Sequence, residues 1–255
     1  MKIGFIGTGR IATAIIRGMH LKKMQVKKIF ISARNKKNSS FLKKKYKKVS
    51  VLNNNQHILH YSDIIFLTIT PKVGKHILSK LQFKKNQTVF NLMSTIHNSE
   101  LKKMIGKVKK IIKVAPLPMI EHGIGPIIIY PKDTFAENFF SKLGEVFSST
   151  NEEFNKKLWV MTSFMATFLE IYKTNVDWLR KKGISEETGR KYLSRLFESL
   201  SKETLNNRSV NLAKFVKSFQ TKGGINEQLL TKLRGFKFFN KLQNSLNTVY
   251  SRIKK

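Results

Sequence analysis

Apolar, strand-like runs alternate with helical periodicity up to residue 149, and helical periodicity alone continues from 150 to 255. A glycine motif closes the first apolar run. Together these features predict an α/β chain: a Rossmann-like doubly wound sheet over residues 1–149, followed by an all-helical domain over residues 150–255.

Lys2–Ile6 is a short apolar strand that ends at Gly7-Thr8-Gly9, and Ile11–His20 reads as a helix. Lys27–Ser32 is a second strand, rich in β-branched and aromatic side chains. Phe41–Lys48 is expected to be helical and Val49–Val51 to be a short strand. Asp63–Thr70 is a continuous apolar run closed by Pro71, as in a strand buried on both faces of a parallel sheet. Thr88–Leu92 and Lys110–Val114 repeat that pattern, with the amphipathic segment Glu100–Ile105 between them. Ile127–Tyr130 is a further strand and Phe135–Phe147 a helix. Thr150 and Glu153 then have the spacing of a capping box. From there a long apolar helix is expected to run to Lys182 and stop at Gly183. Ser185-Glu186-Glu187 opens the next helix, with acidic residues complementing the helix dipole. Others are expected at Leu212–Phe219, Glu227–Leu233 and Phe236–Ile253.

The chain has 255 residues, no cysteine and a formal net charge of +34. No apolar stretch approaches the ~18 residues needed to span a bilayer, and the run at Ile3–Ile6 is too short for a signal-peptide core. The absence of cysteine excludes a disulfide framework and thiolate metal sites, and no other metal site is expected. The cytoplasm is the expected compartment. The lysines are scattered along the whole chain, as a codon bias towards A and T would scatter them. No aromatic-interleaved RNA-binding motif or zinc-finger spacing accompanies them, so the charge does not predict a nucleic-acid partner. It would attract anionic ligands.

Gly7-Thr8-Gly9-Arg10-Ile11-Ala12 matches G-x-G-x-x-A between a strand and a helix. Gly7 permits the tight turn, Gly9 lets backbone approach a pyrophosphate, and Ala12 allows close helix–strand packing. The helix N-terminus offers free N–H groups to phosphates. At the end of the second strand an NAD-binding chain usually carries an acid for the ribose 2′-hydroxyl. Ser32, Arg34 and Asn35 stand there instead, and Arg34 can grip a 2′-phosphate with the other two as polar helpers. NADPH is therefore the expected coenzyme, with NADH the alternative. Thr70, Pro71 and Lys72 lie at the carboxyl end of the strand expected beside it.

These motifs, in their order and spacing, resemble the pyrroline-5-carboxylate reductase family. The match runs from Ile3–Ala12 through Ser32-Ala33-Arg34-Asn35, Asp63–Lys72 and Lys113-Val114-Ala115-Pro116 to the loop Thr221-Lys222-Gly223-Gly224. The resemblance implies reduction of a cyclic imino acid with NADPH or NADH, and a helical C-terminal domain that builds a homodimer or a higher oligomer. It also implies that Thr221, Gly223, Gly224, Ile225 and Asn226 hold the substrate carboxylate, with Asn226 as the candidate catalytic residue. The chain departs from the family at Lys222, where a proline is usual, and at Asn226, where a threonine is expected. It departs again at Leu117, where a polar residue is usual, and at Thr162–Thr167, where small residues are.

The expected function is NADPH-dependent reduction of 1-pyrroline-5-carboxylate to proline. The alternatives are a reductase of another cyclic imino acid and a β-hydroxyacid-dehydrogenase-like enzyme. The latter needs Lys and Asn four apart, whereas Lys173 and Asn175 are two apart. The non-enzyme alternative is a degenerate paralogue that binds nucleotide or nucleic acid.

Overall fold

The computed structural model describes residues 1–254. β1 (Lys2–Ile6) turns into α1 (Arg10–Leu21), followed by β2 (Lys28–Ser32), α2 (Lys36–Lys45) and β3 (Val49–Leu52). Next come α3 (Asn55–Tyr61), β4 (Ile64–Leu67), α4 (Pro71–Ile77), β5 (Thr88–Asn91), α5 (Asn98–Ile105) and β6 (Lys110–Pro116). A 3-10 turn at Pro118–His122 leads to β7 (Pro126–Tyr130), α6 (Thr134–Phe140) and β8 (Glu145–Ser148). The eight strands form one sheet in the order β3-β2-β1-β4-β5-β6-β7-β8. All neighbours are parallel except β6 and β7. The first six strands thus have the doubly wound order, with its switch point between β1 and β4.

Two apolar layers sandwich the sheet. Alternation along β4 sends Phe66 to one layer and Ile65 and Leu67 to the other. Register places Phe5, Phe66 and Phe90 side by side across β1, β4 and β5. Their rings lie 4.5 Å and 4.9 Å apart, and Phe140 of α6 closes on Phe90 at 5.1 Å. Each such pair adds about 0.5–1.5 kcal/mol beyond its burial.

The 3-10 turn after β6 packs on α1 where that helix is narrowest. A Cβ built on Gly18 would sit 2.4 Å from the Ile120 carbonyl oxygen. The adjacent Arg17 pairs with Glu121 at 2.7 Å and holds its carboxyl below the usual range. Gly18→Ala would gain about 1 kcal/mol in helix propensity, but the clash is with backbone and outweighs it. The variant is expected to lose about 2 kcal/mol net, read as a fall of roughly 4–8 °C in Tm.

Beyond β8 the chain is helical, with α7 (Glu152–Met161), α8 (Phe164–Lys181), α9 (Glu186–Asn206), α10 (Leu212–Ser218), α11 (Ile225–Gly235) and α12 (Phe238–Lys254). Residues Met1–Trp159, joined by the chain's end from Ile253, form one compact unit, and Val160–Arg252 form another. In the second, Val160, Val176 and Leu193 are the buried hydrophobic residues. Phe168 and Phe197 stack edge-on at 5.4 Å between α8 and α9. Among the described residues, α10, α11 and α12 bury none.

Several elements differ from the sequence expectation. β4 stops at Leu67, and Pro71 starts a helix where a strand-terminating role was expected, because proline's fixed φ and missing N–H suit the first helical position. α2 begins at Lys36, five residues before the expected start, because the Asn35 side chain accepts from the Asn38 amide and caps it. The expected helix Phe135–Phe147 ends at Phe140, and Glu145–Ser148 is an edge strand. Gly144 lies so close to the Gly125 carbonyl that a Cβ there would sit at 2.4 Å. The expected Thr150 cap gives way to Asn151, whose Oδ1 accepts from Glu153 at 2.9 Å. The long helix to Lys182 is broken at Thr162–Ser163. Its stop at Gly183, with φ of +85°, and the Ser185 cap on α9 are as expected.

Candidate functional site

Gly7 has a φ of +100°, and a Cβ there would lie 2.6 Å from the Thr68 carbonyl oxygen. Glycine is required at this turn. Four side chains lock the turn in place. Thr68 Oγ1 donates to the Gly7 carbonyl at 2.7 Å, and Asn38 Nδ2 donates to the Thr8 carbonyl at 2.8 Å. Thr8 Oγ1 donates to the Ser32 carbonyl at 2.6 Å, while Ser32 Oγ accepts from the Gly7 amide at 3.0 Å. Ser32 and Thr8 are both buried. The Ser32 hydroxyl, expected to help hold a 2′-phosphate, is thus committed to the turn.

Gly9 is different. A Cβ there would meet nothing within 4 Å, and as N-cap of α1 it supplies no side-chain cap to the first turn. Buried Ala12 lets the helix pack tightly. The chain therefore presents bare backbone, uncapped N–H groups and open space together, which fits a pyrophosphate. Arg10 and Ile11 begin the helix. Arg34 is exposed just beyond β2, with no ion pair or hydrogen bond among the described residues, and Asn35 beside it keeps its Nδ2 free of the cap. Both could reach a 2′-phosphate. Thr70 caps α4 without a side-chain hydrogen bond, Pro71 is half-buried, and Lys72 is exposed.

The loop after β5 is held by two residues that motif reading did not assign a role. Asn91 is fully buried, donating to the Ile96 carbonyl at 2.9 Å and accepting from the Met93 amide at 3.1 Å. Lys113, from β6, donates to the carbonyls of Met93, Ser94 and Ile96 and lies 4.8 Å from the Trp159 ring. Burial pulls its ammonium down to about 7, against Glu152 and Glu100, which raise it. His97, at the foot of the same loop, contacts Glu152 at 2.8 Å. A lysine inside the apolar run Ile111–Pro116 was the available signal.

The second glycine loop lies in the other compact unit. Its donors have internal acceptors: the Gly223 amide donates to Glu227 Oε2 at 2.7 Å, and the Gly224 amide to the Thr221 carbonyl at 2.8 Å. Asn226 Nδ2, expected to reach a substrate, donates to the Phe219 carbonyl at 3.0 Å. Ile225 opens α11 and is exposed. Glu227 thus places a carboxylate of the chain itself on the amide expected to hold one. Lys173 and Asn175, the pair weighed for a hydroxyacid dehydrogenase, are engaged with Asp177 and the Ile171 carbonyl on the surface. His122 is exposed beside Glu121.

The sheet order and the glycine turn define a dinucleotide-fold protein. Residues 2–94 match the family model described as NADP oxidoreductase coenzyme F420-dependent. A pyrroline-5-carboxylate reductase of Haemophilus influenzae is 22% identical over 98% of this chain and 95% of its own. One from Aquifex aeolicus is 28% identical, but the match spans 34% of this chain and only 33% of that protein. The crystal structure of Plasmodium falciparum pyrroline carboxylate reductase with NADP bound superposes with a TM-score of 0.86 at 17% identity, over 100% of this chain and 97% of that one. Along nearly its whole length the chain is thus similar in sequence to a pyrroline-5-carboxylate reductase, and it shares the fold of that enzyme class.

Proposed function

We propose that the chain is an NAD(P)H-dependent imine reductase, with 1-pyrroline-5-carboxylate as substrate and NADPH as reductant. The observation that carries this reading is the turn at Gly7–Gly9, already locked by its neighbours, with open space over Gly9 and an uncapped helix end. Bound there, the coenzyme supplies the hydride that reduces the C=N carbon, and the ring nitrogen retains or gains a proton to leave an amine. The chain's part is to bind and orient. Gly9 and the first turn of α1 receive the pyrophosphate, and Arg34 with Asn35 receives the 2′-phosphate. Asn91 and Lys113 fix the loop at the carboxyl end of β5, the edge of an open α/β sheet where ligands sit. No residue need abstract a proton, because a protonated imine is already electrophilic.

The test is loss of NADPH absorbance on adding 1-pyrroline-5-carboxylate, with other cyclic imines in parallel. Turnover is expected, and Arg34→Glu should raise the KM for NADPH about 10- to 100-fold while leaving that for NADH nearly unchanged. No oxidation with any imine would overturn the reading.

Glu227 bears on the substrate. A substrate carboxylate seated on the Gly223 amide has to displace the Glu227 carboxylate, and like charges cannot share one donor. Glu227→Gln is expected to lower the KM for 1-pyrroline-5-carboxylate about 3- to 10-fold with kcat little changed. A carboxylate-free imine should show no such gain. An unchanged KM for both would place the carboxylate elsewhere.

The exposed apolar side chains of the second unit, among them Trp178, Leu205, Ile225 and Phe236, support a homodimer. Their helices cover little of one another, and a second copy is the occupant this reading implies. The cytoplasm is the compartment that goes with it. Among the described residues, no helix is long and apolar enough to cross a membrane.

A further inference from the structure

A cavity of about 510 Å³ opens between the end of α1, the start of β2 and the turn from α2 to β3. Because β1 and β2 are parallel, this lies at the opposite strand ends from the glycine turn. Its floor is apolar: Ile16, Met19, Met24, Val26 and Ile29 are all buried. Its rim carries four exposed lysines, Lys23, Lys45, Lys47 and Lys48, and none of the lining residues is acidic. His20 and Tyr46 close one wall, their rings 4.6 Å apart.

The helix end fixes where Lys23 stands on this rim. It follows α1 in the left-handed region, with φ of +49°, while the Met24 amide donates to the Met19 carbonyl at 2.9 Å. This is the helix-ending arrangement that glycine favours. After α8 the chain does use glycine there: Gly183 has φ of +85°, and the Ile184 amide donates to the Leu179 carbonyl at 3.0 Å. At the cavity mouth the chain instead keeps a lysine, as it also does at Lys237 with φ of +53°, and here that helix end sets the Lys23 side chain on the cavity rim.

We propose that this cavity binds an amphipathic monocarboxylate, with its aliphatic tail on the apolar floor and its carboxylate among the rim ammonium groups. The volume lies within the roughly 300–1,000 Å³ of small-molecule sites. The C-terminal end of α1 carries about half a negative charge, which four ammonium groups outweigh.

The probes are decanoate, decanol and decyltrimethylammonium, titrated calorimetrically into the full chain at low salt. Decanoate should bind at least about tenfold more tightly than decanol, and the cation should not bind. Amide shifts should concentrate at Lys23–Ile29 and Lys45–Lys48. Lys23→Gly is the decisive variant, because it relieves strain while removing a rim charge. Its Tm should rise by about 2–4 °C, while decanoate weakens about fivefold. Lys45→Glu should weaken decanoate about tenfold. The proposal is overturned if decanoate does not bind, if decanol binds as well, if the shifts fall elsewhere, or if Lys23→Gly binds decanoate like the parent.

Discussion

Gly7→Ala is expected to remove coenzyme binding and a large part of the fold's stability together. The added methyl would lie 2.6 Å from the Thr68 carbonyl oxygen and 2.7 Å from Ile69 Cγ2, at a φ of +100° that L-residues rarely adopt. Backbone cannot yield as a side-chain tip can, so the turn has to open. Combined strain and clash cost about 3 kcal/mol, a fall of roughly 6–12 °C in Tm. NADPH affinity should drop at least about 100-fold. Gly9→Ala separates the two effects, since its methyl meets nothing in the protein. That variant should melt like the parent yet bind NADPH poorly, because the methyl occupies the space the pyrophosphate needs. Equal NADPH affinity in Gly9→Ala and the parent would remove the turn from the coenzyme site.

The second large effect is a pH dependence seated at Lys113. Burial draws its ammonium down to about 7 in the folded chain, whereas an unfolded lysine holds its proton to about 10.4. Between those values the unfolded state binds more protons, so stability rises with pH across that window and is flat in this contribution below it. The gain from pH 7 to pH 10 is on the order of 4 kcal/mol. Other lysines titrate near 10 as well, so the measurement is a difference: urea unfolding of the parent and Lys113→Met at pH 6, 8 and 10. The parent should gain on the variant with rising pH. Parallel profiles would show that Lys113 keeps an ordinary proton affinity. The variant also leaves the Met93, Ser94 and Ile96 carbonyls without their shared donor, so that loop should exchange its amides faster.

The sequence and the structure agree where a signal is both local and long. β1, α1 and β2 follow from an apolar run, a glycine pair and a second β-branched run, and each is where periodicity puts it. α3 and α4, of seven residues each, are too short to show a period, and proline fits a strand's end as well as a helix's first turn. Thr150 and Asn151 are both competent caps one residue apart, and only tertiary context chooses Asn151. β8 lacked a legible pattern because Val146 and Phe147 are adjacent rather than alternating.

The site divides the same way. Gly7, Gly9 and Ala12 are legible because their spacing is the motif. Thr68 reaches Gly7 across 61 positions and Asn38 reaches Thr8 across 30, so no window of sequence contains either pair. Lys113 likewise acts on a loop 17 to 20 residues earlier. The contact of Glu227 with Gly223 spans only four residues and could have been read from the helix start. A glutamate in a first turn commonly reaches back to an N–H group there.

The locking of the glycine turn by Ser32, Asn38, Thr8 and Thr68 has a kinetic consequence. A loop that must order itself around a ligand loses chain entropy during association, and its capture rate falls accordingly. Here the turn is already ordered by the chain's own side chains, so its ordering belongs to folding. Coenzyme capture is then set by diffusion, charge attraction and release of hydrating water, and slow isomerisation after encounter has no element at this turn in which to reside.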